Sequence, residues 1–396
     1  MIDASQVWQF LEDHADELAL SNRELLQERD RLRKSAQAAR RRTAADLQAA
    51  LDFPAGRHGA YPSSEWNPGM GDWLPFETGL PHDASRREWS RWAERASDDV
   101  TTLAVDGSQI YPTGDWSVPI AAVRVGMFEN PHRGKGDYRK STLFKPLLPH
   151  DLLASAPDDA ALQDAVNERR HRLEIETLIE WMESRADEPG RRVAIFDGSL
   201  VVSFATSLRP RYVESVLDLM EASEKTRTPV VGYVDSSRAR DLSQMYSWLD
   251  NGSTTDLNDG VLLPQSEWLQ RTPAFVCARA KGLENYEGRG RQTDVHFVYL
   301  RSSRDALPAR LEFPGWILES GRLDQMVDVI RAEIAAQGGG YPYAMETADA
   351  VAVLTSRDRD RFRDIFRRFA ERQFSASSPL RSRRSRPKSE SKQWRR

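Results

Sequence analysis

Between residues 99 and 373, short apolar runs with strand-like alternation trade places with longer stretches of helical period, and that alternation points to an α/β fold. The first run, TTLAVDGSQIYP, carries Leu103 and Val105 into Asp106, with a turn expected at Gly107-Ser108. The alternation of SVPIAAVRVGMFE suits a second strand. A helix is expected over 158–184, then a strand in RRVAIFDGSLVVSF, where a second Asp-Gly-Ser occupies 197–199. A helix over 211–225 precedes a third such strand, PVVGYVDSSRARDL, which ends at Asp235. PAFVCAR and DVHFVYLRS read as further strands, and RLEFPGWILES as a strand and turn. The pattern closes with a helix over 323–336, the loop GGGYPYAMET and a helix through ADAVAVLTSRDRDRFRDIFRRF. The early strands look consecutive and antiparallel, whereas the later ones alternate with helices. The expectation is a mixed sheet flanked by helices, in the order of a ribonuclease-H-like core.

Outside that core the chain divides three ways. Residues 1–52 read as a long helical arm, with Leu18, Leu25 and Leu32 seven apart and no Pro or Gly before Pro54. Such an arm packs either on a partner helix or on its own domain. Residues 53–98 are rich in Pro, Gly, Trp and Asp and read as a connection with little regular structure. Its aromatics, Trp66, Trp73, Trp89 and Trp92, either pin it to the core or stack on bases. Residues 99–373 form the main domain. Residues 374–396 read as a disordered basic tail, with eight Lys/Arg against one Glu from Arg381 onward.

Composition narrows the function classes. The net charge of −4 does not suggest nucleic acid, but basic runs at 31–42 and in the tail supply local phosphate attraction. No stretch reaches the roughly 20 apolar residues of a membrane span, and no secretory leader is evident. A cytoplasmic protein without membrane contact is therefore expected. The single cysteine, Cys277, excludes an internal disulfide and reads as a buried core residue. No Cys/His cluster with zinc spacing is present.

The candidate chemistry lies in the carboxylates. Asp106, Asp197 and Asp235 each follow an apolar strand run, and functional groups gather where strands hand over to loops in open α/β sheets. A lone Asp-Gly after a strand is ordinarily a turn or a helix cap; two Asp-Gly-Ser sequences in the same context suggest more. Carboxylates brought together repel, and a divalent cation with a preference for hard oxygen, Mg²⁺ or Mn²⁺, offsets the repulsion. In RHRLEIETLIEWMES, Glu174 lies beside Leu178 and Trp181 at about 100° per residue, and Glu176 lies on the side of Glu180 and Glu183. Glu174 is the better inward candidate, with Glu176 as its alternative. Glu346 and Asp349 stand near a helix start, where capping carboxylates are normal.

The segments VDGSQ (105–109), LEIETL (173–178), AIFDGSL (194–200), VVGYVDSSRARDL (230–242) and GYPYAMETADAVAVL (340–354), in this order, resemble the NurA nuclease domain. The resemblance covers roughly residues 100–360. Each motif alone is weak; the five in order are specific. The resemblance implies a ribonuclease-H-like fold and a Mn²⁺- or Mg²⁺-dependent deoxyribonuclease using two ions. It implies action on DNA ends and single strands, as a homodimer working with HerA, a hexameric translocating ATPase. By position, Asp106, Glu174 (or Glu176), Asp197 and Asp349 match the family's metal-site residues. Tyr341 and Tyr343 lie near that site, within reach of DNA. One departure is Asp235, which stands where many members carry Lys and so reads as a cap or an extra acid.

The expected chemistry is metal-assisted phosphodiester hydrolysis with a water nucleophile. Ser108 and Ser199 lack a sequence-evident His base, which argues against a serine hydrolase. Arg238, Arg240, Arg383, Arg384 and Arg386 are candidates for holding DNA phosphates. Two alternatives remain: a catalytically weak DNA-binding assembly subunit of a motor ATPase, and a phosphatase or nucleotidase acting on small esters. The absence of a Walker loop places any ATP dependence in a partner.

Overall fold

The protein is described from a computed structural model that covers residues 3–52, 58–69, 73–80, 83–113, 118–133, 137–153, 159–187, 191–204, 206–264, 267–279, 282, 283, 286, 294–338 and 340–373. Its elements begin with α1 (Ala4–Asp13), α2 (Ala15–Ala39), α3 (Ala44–Leu51), β1 (Gly59–Pro62) and α4 (Arg86–Ser97). There follow β2 (Val100–Ile110), β3 (Ala121–Asn130), β4 (Arg139–Leu147), α5 (Pro149–Leu153), α6 (Asp159–Ser184), β5 (Arg191–Asp197), α7 (Arg209–Thr226) and β6 (Val230–Val234). The remainder is α8 (Asp241–Asn251), α9 (Asp259–Leu262), β7 (Phe275–Ala278), β8 (Val295–Leu300), β9 (Ala309–Pro314), α10 (Trp316–Glu319), α11 (Leu323–Gln337), α12 (Tyr343–Ala352) and α13 (Ser356–Gln373).

The chain forms two compact units, each discontinuous in sequence. The larger comprises Ser85–Tyr233, Asn285–Thr293 and Trp316–Arg396. Its strands run in the order β4-β3-β2-β5-β6. The pairs β4/β3 and β3/β2 are antiparallel, and β2/β5 and β5/β6 are parallel. That order and those directions are the ribonuclease-H-like arrangement expected from the sequence. The core strands are buried as near-continuous apolar runs, Leu103–Val105 in β2 and Val193–Phe196 in β5. Helix α12 packs on β2 and β3, α6 packs on β2, β3 and β5 and against α7, and α11 packs against α4. Ends are set locally: Ser85 and Glu88 form a capping box at α4, and α11 stops at Gly338, whose φ of 73° is left-handed.

The smaller unit comprises Met1–Ala84, Val234–Glu284 and Asp294–Gly315. Its antiparallel strands run β1-β7-β8-β9, with α2, α3, α8 and α9 packed about them. Arg310 is buried, ion-paired to Asp241 at 2.8 Å and to Glu312 at 2.6 Å, and lies 3.6 Å over the Phe297 ring. Arg279 adds a second bond to Asp241 at 2.7 Å. Buried charges persist only when paired in this way.

Several local expectations change. The stretch expected as one long helix is three: α1 and α2 meet at His14, and Thr43 caps α3 through a box with Asp46. All described residues of α1 are exposed, and of the three heptad leucines only Leu32 is buried. The 53–98 connection contains β1 and α4; Trp66 and Trp89 are buried in it, and Trp73 lies edge-on to Tyr246. The final helix is two, because residues 353–355 break α12 from α13. The turn expected at Gly107-Ser108 is not there: β2 runs on to Ile110 because β3 pairs it throughout. Cys277 is buried, as expected. Among the described residues no helix is long and apolar enough to cross a membrane.

Candidate active site

Two of the aspartates are placed by register. In the parallel pair β2/β5 the last aligned residues are Val105 and Phe196, so Asp106 and Asp197 come next on adjacent strands. Neighbouring strands lie about 4.8 Å apart, and β5 ends at Asp197. Across the other edge of β2, Asp106 is level with Gly126 of β3. The missing side chain at Gly126 lets α12 close on the sheet: a Cβ there would stand 2.5 Å from the Ala352 nitrogen and 2.6 Å from the Ala348 oxygen. Asp349, on that stretch of helix, stands near enough to Asp106 to disfavour its charged form. Glu174 comes from α6 and is 5% exposed. Its Oε1 accepts from Arg170 Nη1 at 2.7 Å and sits where a Cβ of Gly107 would be, 2.1 Å away.

The four carboxylates thus come from β2, α6, β5 and α12. Their electrostatics record the crowding. Burial, with repulsion from Asp197 and from Asp349, pushes the Asp106 carboxyl up to about 6, against a backbone bond from Gly107. Burial pushes Glu174 up to about 7; Arg170 opposes this, and Asp106 and Asp197 add to it. Tyr341 donates its hydroxyl to Asp197 at 3.2 Å, and burial beside that carboxylate raises the phenol well above its ordinary value. The loop carrying Tyr341 is anchored by Tyr233, which donates to the Gly340 carbonyl at 3.2 Å.

Among the described residues no group of three or more His, Cys, Asp or Glu side chains stands together closely enough to hold a metal ion. The chemistry of the donors nonetheless fits a divalent cation. All are hard oxygens, Asp106 is raised by Asp197 and Asp349 and Glu174 by Asp106 and Asp197, and Arg170 is paired with Glu174.

The other candidates fall differently. Glu176 is half-buried beside Arg169 at 3.5 Å, and Glu346 is exposed in the first turn of α12. Tyr343 packs edge-on against Phe128, so it supports the helix start. Arg238 and Arg240 are exposed in the smaller unit, where Arg240 pairs with Asp256. Asp235 lies there too, exposed and accepting from Ser236 at 3.2 Å. Ser199 bonds to the backbone of Val201 at 3.0 Å on both sides. Arg383, Arg384 and Arg386 lie outside the described residues.

Two supporting groups gave no sequence signal. Arg170 is one. Glu333 of α11 is the other: buried, it accepts from the Ala344 amide at 2.9 Å, from Thr102 at 3.0 Å and from His132 at 3.0 Å. It satisfies the open N-terminus of α12, where α12 supplies no cap of its own. An i, i+4 Arg–Glu pair reads as surface charge, and a mid-helix glutamate reveals nothing of a distant helix end.

A ribonuclease-H-like core with Asp197 at the end of β5 and Asp106 beside it, just past the last β2/β5 pair, defines the class. The NurA domain profile matches residues 100–354, and the chain belongs to the NurA family. Among solved structures, the NurA nuclease from Sulfolobus solfataricus is similar at 13% identity, with a TM-score of 0.53, over 94% of this chain and 98% of that one. A NurA with manganese aligns at 11% identity and a TM-score of 0.37, over 70% and 90%. The human endonuclease V catalytic domain aligns at 16% and 0.33, over 84% and 97%. No curated relative matches.

Proposed function

We propose that the protein is a divalent-metal-dependent deoxyribonuclease that hydrolyses phosphodiesters at DNA ends or in single strands. What supports the reading is the electrostatic coupling of Asp106 to Asp197, Glu174 and Asp349, which come from four separate elements, in a chain of the NurA family. Asp106 and Asp197 would hold one ion, and Glu174 and Asp349 would complete a second, with Mn²⁺ or Mg²⁺ as the metal. Bound there, such ions supply positive charge against the charge developing on the phosphoryl oxygens and make water more acidic. The chain's own groups do the positioning. Tyr341 donates to Asp197 and orients it. Arg170 holds Glu174 in the gap left by Gly107. Glu333 and Gly126 fix α12 and with it Asp349. The burial of Glu174 and the salt bridge of Glu176 to Arg169 favour Glu174 as the helical ligand.

Family membership supports the wider reading: a cytoplasmic homodimer that works with a HerA-like hexameric translocase in DNA end processing or defence. The test is degradation of end-labelled single- and double-stranded DNA with Mn²⁺, Mg²⁺ or EDTA, comparing wild type with Asp106→Ala. Metal-dependent cleavage lost in the variant is expected. Silence of the wild type, with and without a partner ATPase, would move the reading to a DNA-binding assembly subunit.

A further inference from the structure

A cavity of about 300 Å³ opens beside the acidic cluster. One wall is the continuation of β2 beyond Asp106, from Gly107 through Ile110 and on to Thr113. The other is α13, which contributes Arg359 and Arg363. Helix α13 is seated by Phe362, which packs on the buried cluster of Ile110, Ala122 and Leu354. Residues four apart share one helix face, so the two guanidinium groups stand one above the other, about 6 Å apart along the axis. Both arginines are exposed. The sole ion pair of Arg363 among the described residues is with Asp360 at 3.6 Å, an exposed pair of little strength. The opposite wall is polar and held still: Tyr111 donates to Asn167 at 2.6 Å, and Gln109 donates to Tyr111 at 2.8 Å.

We propose that this groove is the track for the single nucleic-acid strand that flanks the scissile phosphate, with Arg359 and Arg363 on two successive backbone phosphates. The proposal rests on the nuclease reading and deepens it. A cavity that begins at the residue after Asp106 leads away from the acids. A strand whose reacting phosphate sits at Asp106 must pass its neighbouring phosphates along one side. On the acid side four carboxylates repel a polyanion; on the groove side two cations face it. Arginine suits the task because its planar fork pairs with phosphate oxygens without being deprotonated. Of the polar side chains among the described residues that line the groove, Gln109 and Tyr111 are bonded to each other, and Ser108 and Thr113 carry only short hydroxyls. The contact is therefore with the backbone, and sequence preference is not expected from it.

The test uses the full chain and the double variant Arg359→Gln/Arg363→Gln, with Arg359→Lys/Arg363→Lys as the charge-preserving control. Binding of a labelled single-stranded oligonucleotide is followed in EDTA across a salt series. Each lost phosphate contact on a single strand lowers the slope of log K against log salt by about 0.7, so the glutamine pair should lower it by roughly 1.4. Between about 50 and 200 mM salt the wild type should then lose roughly sevenfold more affinity than the variant. The lysine pair should keep the wild-type slope. Hydrolysis of a small chromogenic phosphodiester, too short to enter the groove, should stay at the wild-type rate in both variants, and their melting temperatures should match wild type. A glutamine variant with the wild-type slope overturns the groove and leaves the nuclease reading standing. A wild type that neither binds the oligonucleotide nor cleaves either substrate overturns both. Loss of small-ester hydrolysis in the glutamine variant also overturns the groove, since the arginines would then act at the acids themselves.

Discussion

Replacing Gly126 by Ala probes the link between packing and the site most directly. Gly126 faces Asp106 across the β2/β3 ladder and underlies α12. An added Cβ would meet the Ala352 nitrogen at 2.5 Å, the Ala348 oxygen at 2.6 Å and the Ala352 Cα at 2.9 Å. Ordinary heavy-atom contact needs about 3.5 Å. All three neighbours are backbone, so no rotamer change gives relief and the helix must retreat by roughly 0.5–1 Å. Overpacking of this kind costs about 1–3 kcal/mol. The entropy that alanine removes from the unfolded chain offsets about 0.4–1 kcal/mol of that. The net of about 0–2.6 kcal/mol should lower the melting temperature by up to roughly 10 °C for a unit of this size. Asp349 rides on the displaced turn, so the Asp106–Asp349 contact opens. A misplacement near 1 Å costs on the order of 100-fold in rate. Calorimetry and cleavage of an end-labelled oligonucleotide at saturating Mn²⁺ read the two effects separately. A variant that melts within about 1 °C of wild type and cleaves at the wild-type rate would show that α12 is not held by this contact, and the account of how Asp349 reaches the site would be wrong.

Four further outcomes follow from the charges. In EDTA the protein should lose stability as pH rises from about 4.5 to 7, because the folded pKa values of Asp106 and Glu174 are raised to about 6 and about 7 and folding disfavours their charged forms. Mn²⁺ should therefore raise the melting temperature more at pH 8 than at pH 5.5, and an equal shift at both would contradict the carboxylate account. His132 gives the opposite sign: burial opposes its protonation, but Glu333 and the Val100 carbonyl prevail and raise its pKa. Its contribution is present in full below about 6.5 and lost as pH climbs through the raised value; urea melts of His132→Gln should converge on wild type at high pH. Arg170→Ala should strand a buried Glu174 and lower stability at pH 8, with partial recovery at pH 6 where that carboxyl takes up a proton; recovery on raising the pH instead would refute the pairing. In the smaller unit, Asp241→Ala leaves Arg310 and Arg279 without their shared partner and should cost about 3–5 kcal/mol in a denaturant melt, the scale for breaking a buried pair; a cost below about 1 kcal/mol would place those charges in contact with water.

What the sequence reveals of this site and what it hides divide along a physical line. Asp106 and Asp197 are legible because each sits against a buried apolar run, and an acid in that position is costly unless used. Glu174 is legible because helical period separates it from the solvated side of α6. The strand order follows from the alternation of elements, since parallel strands need helical crossovers and antiparallel ones do not. Strand β4 is missed because it is an edge: six of its nine residues, Arg139–Phe144, are exposed, and with no buried face there is no period to read. The Asp-Gly-Ser at 106–108 is misread as a turn because the same letters at 197–199 do end a strand; only pairing with β3, a contact distant in sequence, keeps β2 extended through them. Gly126 and Glu333 are silent for a related reason. One acts by what it lacks and the other by capping a helix it does not belong to. The ligand candidates are thus marked by local cost, and the groups that hold them in place are marked only by long-range geometry. Substitutions at Gly126, Arg170 and Glu333 therefore separate the two layers: the candidate acids remain in place chemically while their arrangement is changed.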